Sequence, residues 1–175
     1  MHLFFLLISL WLGPPTNACR CAEAGLADAT TMTVTLTGGA NAGSYTANSP
    51  EATCSRGLTG SNSFGNQYSA RNKSDKELSS LQLIVDDYDA ARRGTDQFYV
   101  KIAFGKVLMG NKYEINGSTN SMAGPKQGKG RLTLTESGGK KTVVIEGETK
   151  DGVKVKATLT CFKTMTMKNG QLVEQ

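Results

Sequence analysis

The feature that most constrains this chain is a two-residue alternation of apolar and polar side chains that recurs along its length. Thr31 to Thr37 reads TMTVTLT, with Met32, Val34 and Leu36 on one face and threonines on the other. Leu81, Leu83 and Val85 alternate in the same way, as do Phe98, Val100, Ile102 and Phe104. Leu132 and Leu134 follow, then Val143 and Ile145, then Val153, Val155, Ala157, Leu159 and Cys161. Successive strand residues point to opposite faces, whereas a helix repeats every ~3.6 residues, so these runs read as half-buried strands. The 20 glycines punctuate them at turn positions. Strands are expected over 30–37, 43–47, 52–56, 64–70, 81–86, 97–104 and 107–116, and only Lys73 to Leu81 has room for a turn or two of helix.

Residues 131–161 specify their own register. A two-residue Asp151-Gly152 turn would set Val155 opposite Glu148 and Ala157 opposite Glu146, placing charges on the apolar face. A three-residue loop, Lys150 to Gly152 with Gly152 left-handed, shifts the pairing by one. Ile145 then faces Ala157, Val143 faces Leu159, and Gly147 faces Val155. On the outer face Glu146 meets Lys156 and Glu148 meets Lys154, favourable cross-strand pairs. A Gly138-Gly139 turn likewise sets Leu134 opposite Val143, Leu132 opposite Ile145, and Glu136 opposite Lys141, a pair also assigned to the outer face. The result is a C-terminal three-stranded meander. With the other candidates it makes about eight to ten antiparallel strands, which need a two-sheet sandwich or a closed barrel to bury their inner faces. The fold expected is all-β.

Leu3 to Leu12 is apolar except for Ser9. It is too short to span a bilayer, which takes about 20 residues, and fits the core of a secretory signal. Gly13-Pro14-Pro15 then breaks the run, and Thr16 and Ala18 occupy the two small-residue positions before a cut. The organisation expected is a signal peptide over 1–18, a linker over 19–29, a β-sandwich over 30–163 and a polar tail over 164–175. Cutting after Ala18 exposes Cys19, the position where bacterial lipoproteins bear lipid, so Cys19 is a candidate lipidation site and any membrane attachment would be there. Four cysteines, Cys19, Cys21, Cys54 and Cys161, allow three full pairings. In an oxidising compartment the two inside the folded region, Cys54 and Cys161, are the natural pair.

The only His is His2 and the only Trp is Trp11. A mature protein beginning at Cys19 therefore has no Ser-His or Cys-His nucleophile and no His-ligated metal. No enzyme activity and no cofactor are expected. Residues 101–175 hold 13 Lys and Arg against 6 acids, while 19–100 hold 7 against 9. That asymmetry suits an anionic polymer or other surface macromolecule as partner. Aromatics are not interleaved with the basic residues, and there is no nucleic-acid motif.

Asp86, Asp87, Asp89, Arg92 and Arg93 crowd one long loop, a candidate binding loop. A calcium site of EF type would need oxygen ligands at 88 and 90, which are Tyr88 and Ala90. Lys126, Lys129 and Arg131 lie in a glycine-rich segment without phosphate-loop spacing, a candidate anion-binding lip. Ser137-Gly-Gly-Lys140 matches Ser-x-x-Lys but flanks a hairpin turn rather than opening a helix. Asn72-Lys-Ser74 and Asn116-Gly-Ser118 are glycosylation sequons, meaningful in a eukaryotic source.

The Tyr113-Glu-Ile-Asn-Gly117 stretch, the closing strand ending Leu159-Thr-Cys161, and the segment from Gly43-Ser-Tyr45 to Cys54 resemble the mycobacterial 19 kDa lipoprotein antigen group. The resemblance implies a small exported β-rich lipoprotein with one internal disulfide and without catalytic residues. The function expected is that of an exported, non-catalytic envelope or secreted binding protein. The alternative is a carrier holding a small apolar ligand in a barrel calyx.

Overall fold

The computed structural model describes residues 29–106 and 109–174. The segment expected to be a signal peptide, Cys19 and Cys21 lie outside them. The chain lays down β1 (Thr30–Thr37) and β2 (Gly43–Ser49), then β3 (Thr53–Arg56), β4 (Phe64–Ser69), β5 (Leu78–Val85), β6 (Phe98–Phe104) and β7 (Lys112–Asn116). It continues through β8 (Lys129–Ser137), β9 (Lys140–Glu148) and β10 (Lys154–Cys161) to β11 (Thr164–Lys168) and β12 (Gln171–Glu174). One sheet has the order β2-β1-β10-β9-β8 and the other β12-β11-β3-β4-β5-β6-β7. They form a β-sandwich rather than a closed barrel. The chain thus crosses between the sheets after β2, β7 and β10.

The meander forms in the expected register. Ile145 pairs with Ala157 and Val143 with Leu159, and across the other hairpin Leu132 pairs with Ile145 and Leu134 with Val143. Gly152 has φ +80°, and Gly138 and Gly139 have +57° and +77°, backbone that β-carbons disfavour. Alternation puts Met32, Val34, Leu132, Leu134, Val143, Ile145 and Leu159 into one core with Leu81, Leu83, Phe98, Val100 and Ile102 from the facing sheet. Cys54 on β3 is joined to Cys161 on β10, with Cα atoms 6.0 Å apart and both residues fully buried. The bridge spans the two sheets.

Three expectations change. Residues 164–174 are not a tail outside the sandwich: β11 pairs parallel with β3, and β12 forms a hairpin on β11. Lys73 to Leu81 makes no helix. Glu77 N–H donates to Ser74 O, the Glu77 carboxylate accepts from Ser74 N–H and pairs with Lys73, and β5 starts at Leu78. The helical turn falls instead at α1 (Tyr88–Ala91), capped by Asp87, whose Oδ1 accepts from the backbone of Asp89 and Ala90. Finally, Glu136 and Lys141 continue the core face rather than the outer one. The Lys141 side chain is only 8% exposed; its Nζ lies 3.4 Å from Glu136, which also accepts from Tyr88 Oη at 3.1 Å.

Candidate functional site

A groove of about 660 Å³ lies on the outer face of the seven-stranded sheet, within the usual range for ligand pockets. Its floor comes from β3, β4 and β5. Register sets Ser55 beside Gly65 and Gly65 beside Ile84; one row along, Thr53, Gln67 and Gln82 align. Small residues at 55 and 65 sink the floor between bulkier neighbours. Position 65 cannot readily hold more, because a β-carbon there would lie 2.8 Å from the Leu83 carbonyl oxygen. Ser55 is 6% exposed, a buried polar residue at the base of the floor.

The walls carry Leu58, Met122 and Leu172, which are 50%, 67% and 45% exposed. They contribute three of the five large apolar side chains left exposed among the described residues, so the rim gathers surface that a soluble domain ordinarily buries. The Met122 wall is a short 3₁₀ turn, Ser121–Ala123, held from several sides. Ala123 packs on Ile84 and Tyr99. Asn120 accepts from Met122 N–H and donates to Thr59 O on the opposite rim. Asn116 donates its side-chain amide to the carbonyls of Ala123, Gly124 and Pro125.

The acidic loop serves the same rim. Asp86 accepts from Ser118 Oγ and from both the backbone and hydroxyl of Thr119, at 2.6 and 2.9 Å. Asp87 and Asp89 accept from Asn62 Nδ2 at 2.8 and 3.1 Å, and Tyr88 N–H donates to Asn62 O. Within the candidate binding loop, Asp86, Asp87 and Asp89 thus brace the 57–63 and 117–123 segments, while Arg92 and Arg93 are exposed. Arg93 gives its carbonyl to Arg131, and Arg92 adds positive charge near Glu136. Among the described residues no group of three or more His, Cys, Asp or Glu side chains is placed to hold a metal.

The anion-binding candidates lie away from the groove, on and beside β8 of the other sheet. Lys129 is 3.8 Å from Glu148, which also keeps its expected register opposite Lys154, and Arg131 donates to Arg93 O at 3.0 Å. Lys126 is exposed in the preceding loop. Lys156 keeps its expected partner, Glu146, at 2.8 Å, a bond that raises the lysine's pKa. The Asn116 sequon is structural, since Asn116 is buried with its amide engaged; Asn72 is exposed.

The groove residues Ser55, Leu58, Gly65, Gln67, Gln82, Met122 and Leu172 were not singled out by the sequence. One signal was available. In a chain that is 20% charged, the outer faces of 52–56, 64–70 and 81–85 hold Ser, Thr, Gly, Gln and Ile84, with no charge before the Arg56 end. No family model matches the chain, and no curated protein or solved structure does either.

Proposed function

We propose that this is an exported, non-catalytic binding protein of the cell envelope or the secreted fraction, and that the groove over β3, β4 and β5 receives its partner. The supporting observation is the lining, where hydroxyls, amides and apolar side chains surround a single ionisable group, Glu51. A lone carboxylate lacks the paired acid and base, or nucleophile and base, that a reaction would use, while the mixture suits recognition. Export rests on the Leu3–Leu12 leader, and tethering through an acylated Cys19 belongs to the same reading. The carrier alternative has less behind it, because the two sheets do not close into a barrel and large side chains such as Phe64, Phe98 and Phe104 fill the space between them.

The test is binding of labelled protein to envelope fractions of its own host, compared with a Gln67→Arg/Met122→Glu variant. Both positions are exposed, so the variant should melt with the wild type. Binding is expected to fall about tenfold or more, as for residues central to an interface. Equal binding by the variant, or no binding by the wild type to any fraction, would overturn the reading. Intact mass of the host-made protein checks the anchor: acyl mass on a chain starting at Cys19 supports it, and an unmodified chain does not.

A further inference from the structure

We infer that the groove takes an uncharged, extended segment of a partner polypeptide; this rests on the groove being the binding site and names what fills it. The floor runs along β4, where Gly65 to Ser69 extend for about 13 Å at ~3.3 Å per residue. The shape therefore suits a linear chain of several residues. Charge narrows the choice. No Lys or Arg lines the groove of a chain with net charge +5, and Lys101 and Glu114, which extend the Gln67–Gln82 row, stand beyond the lining. An anionic polymer finds no counter-charge there, and a cation finds only Glu51 at one end.

The uncharged alternatives meet other obstacles. A sugar ring is best held against an aromatic face, but the only aromatic residue in the lining, Phe64, has its side chain buried in the core. A purely aliphatic ligand would strip water from Gln67, Gln82 and Ser55 without replacing their hydrogen bonds, which costs about 1–3 kcal/mol for each group left unpaired. A peptide meets both demands. Its backbone amides can pair with the facing carboxamides of Gln67 and Gln82 and with the Ser55 hydroxyl on the same floor. Its apolar side chains can rest on Met122, Leu58 and Leu172, where methionine adapts to varied shapes.

The experiment is NMR of the folded protein with isotope-labelled backbone and methionine methyls. The probes are a pool of N-acetylated, C-amidated neutral hexapeptides, the same pool with two lysines or two aspartates per peptide, a neutral oligosaccharide, and laurate. The neutral pool should shift Gln67, Gln82 and Met122 and leave Met109 in place, and each charged pool should bind at least ~5-fold more weakly because its charges lose hydration without a partner. Shifts at the groove from the oligosaccharide or laurate alone would overturn the peptide class and keep the groove as the site. Peptide binding that moves only residues elsewhere would overturn the groove itself. Silence of the neutral pool at millimolar concentration would overturn the inference.

Discussion

Glu136 joins two structural demands in one carboxylate. It accepts from the buried Tyr88 phenol and neutralises the nearly buried Lys141 ammonium. The Tyr88 hydrogen bond, aided by Lys141, holds its pKa below the ordinary carboxylate value against the opposing effect of burial. A lowered folded pKa means that this stabilisation is present above the unfolded value of about 4.3 and lost as pH falls through the folded one. Tyr88 is the converse. Burial first, then Glu136, push its phenol up to about 12. Its stabilisation is full below the unfolded value of about 10 and disappears as pH rises toward 12. Melting temperature against pH should therefore show a plateau that falls away below about pH 4 and above about pH 10. In Glu136→Gln the acid limb should become shallower, and stability at neutral pH should drop by about 1–2 kcal/mol because Lys141 loses its counter-charge. Denaturant titration at both pH values measures this; an unchanged acid limb would contradict the assignment. Asp86 is the comparable residue at the groove. Asp86→Ala frees the Ser118–Thr119 segment and should increase methyl mobility at Met122 in NMR relaxation while leaving Met109 unaffected.

At the scale of elements, the meander was legible because several independent signals agreed. Glycine turns, core-face alternation and charge pairs selected one register for β8, β9 and β10, and a one-residue slip would have exposed the whole apolar face. Gly147 makes the fit tight: a β-carbon there would stand 2.7 Å from Ile115 Cδ1 of the facing sheet. Gly147→Ala should cost about 1–3 kcal/mol by overpacking, measured by equilibrium unfolding. The acidic run of 86–89 was legible as a feature but not as a helix cap, because α1 is a four-residue turn too short for periodicity to show. The ending of the sandwich was missed for another reason. Thr164 to Lys168 alternates like the earlier strands, yet its methionines face outward, and the parallel pairing with β3 is set by chain topology rather than by a local turn. The Cys54–Cys161 bridge fastens this arrangement between the sheets over a sequence separation of 107 residues. Replacing both cysteines by Ala should lower stability by about 5 kcal/mol on the chain-entropy model, seen as a matching fall in denaturation midpoint; a loss under ~1 kcal/mol would show that packing alone holds the sheets together.

The whole molecule divides its labour between two outer faces. Over the five-stranded sheet, Glu146 and Glu148 pair with Lys156 and Lys129 of the neighbouring strands, so two of the C-terminal positive charges are answered there within the fold. Over the seven-stranded sheet the central strands carry neutral side chains, and braced loops lift apolar residues around a polar floor. This second face could not be read along the chain, because its parts lie between positions 49 and 172 and meet only through the order of the sheet. What the sequence did contain was the absence of charge from the outer faces of β3 to β5, which local periodicity does not weigh. The account's central claim is that the partner occupies this groove, and methionine oxidation tests it with an internal control. Met122 on the rim is 67% exposed and Met109, which does not line the groove, is 86% exposed, so peroxide should reach both in the free protein. With the host envelope fraction that binds the protein, mass spectrometry should show Met122 protected from sulfoxide formation and Met109 oxidised at its free rate. Protection of Met109 alone, or oxidation of Met122 at an unchanged rate in the bound state, would contradict the account.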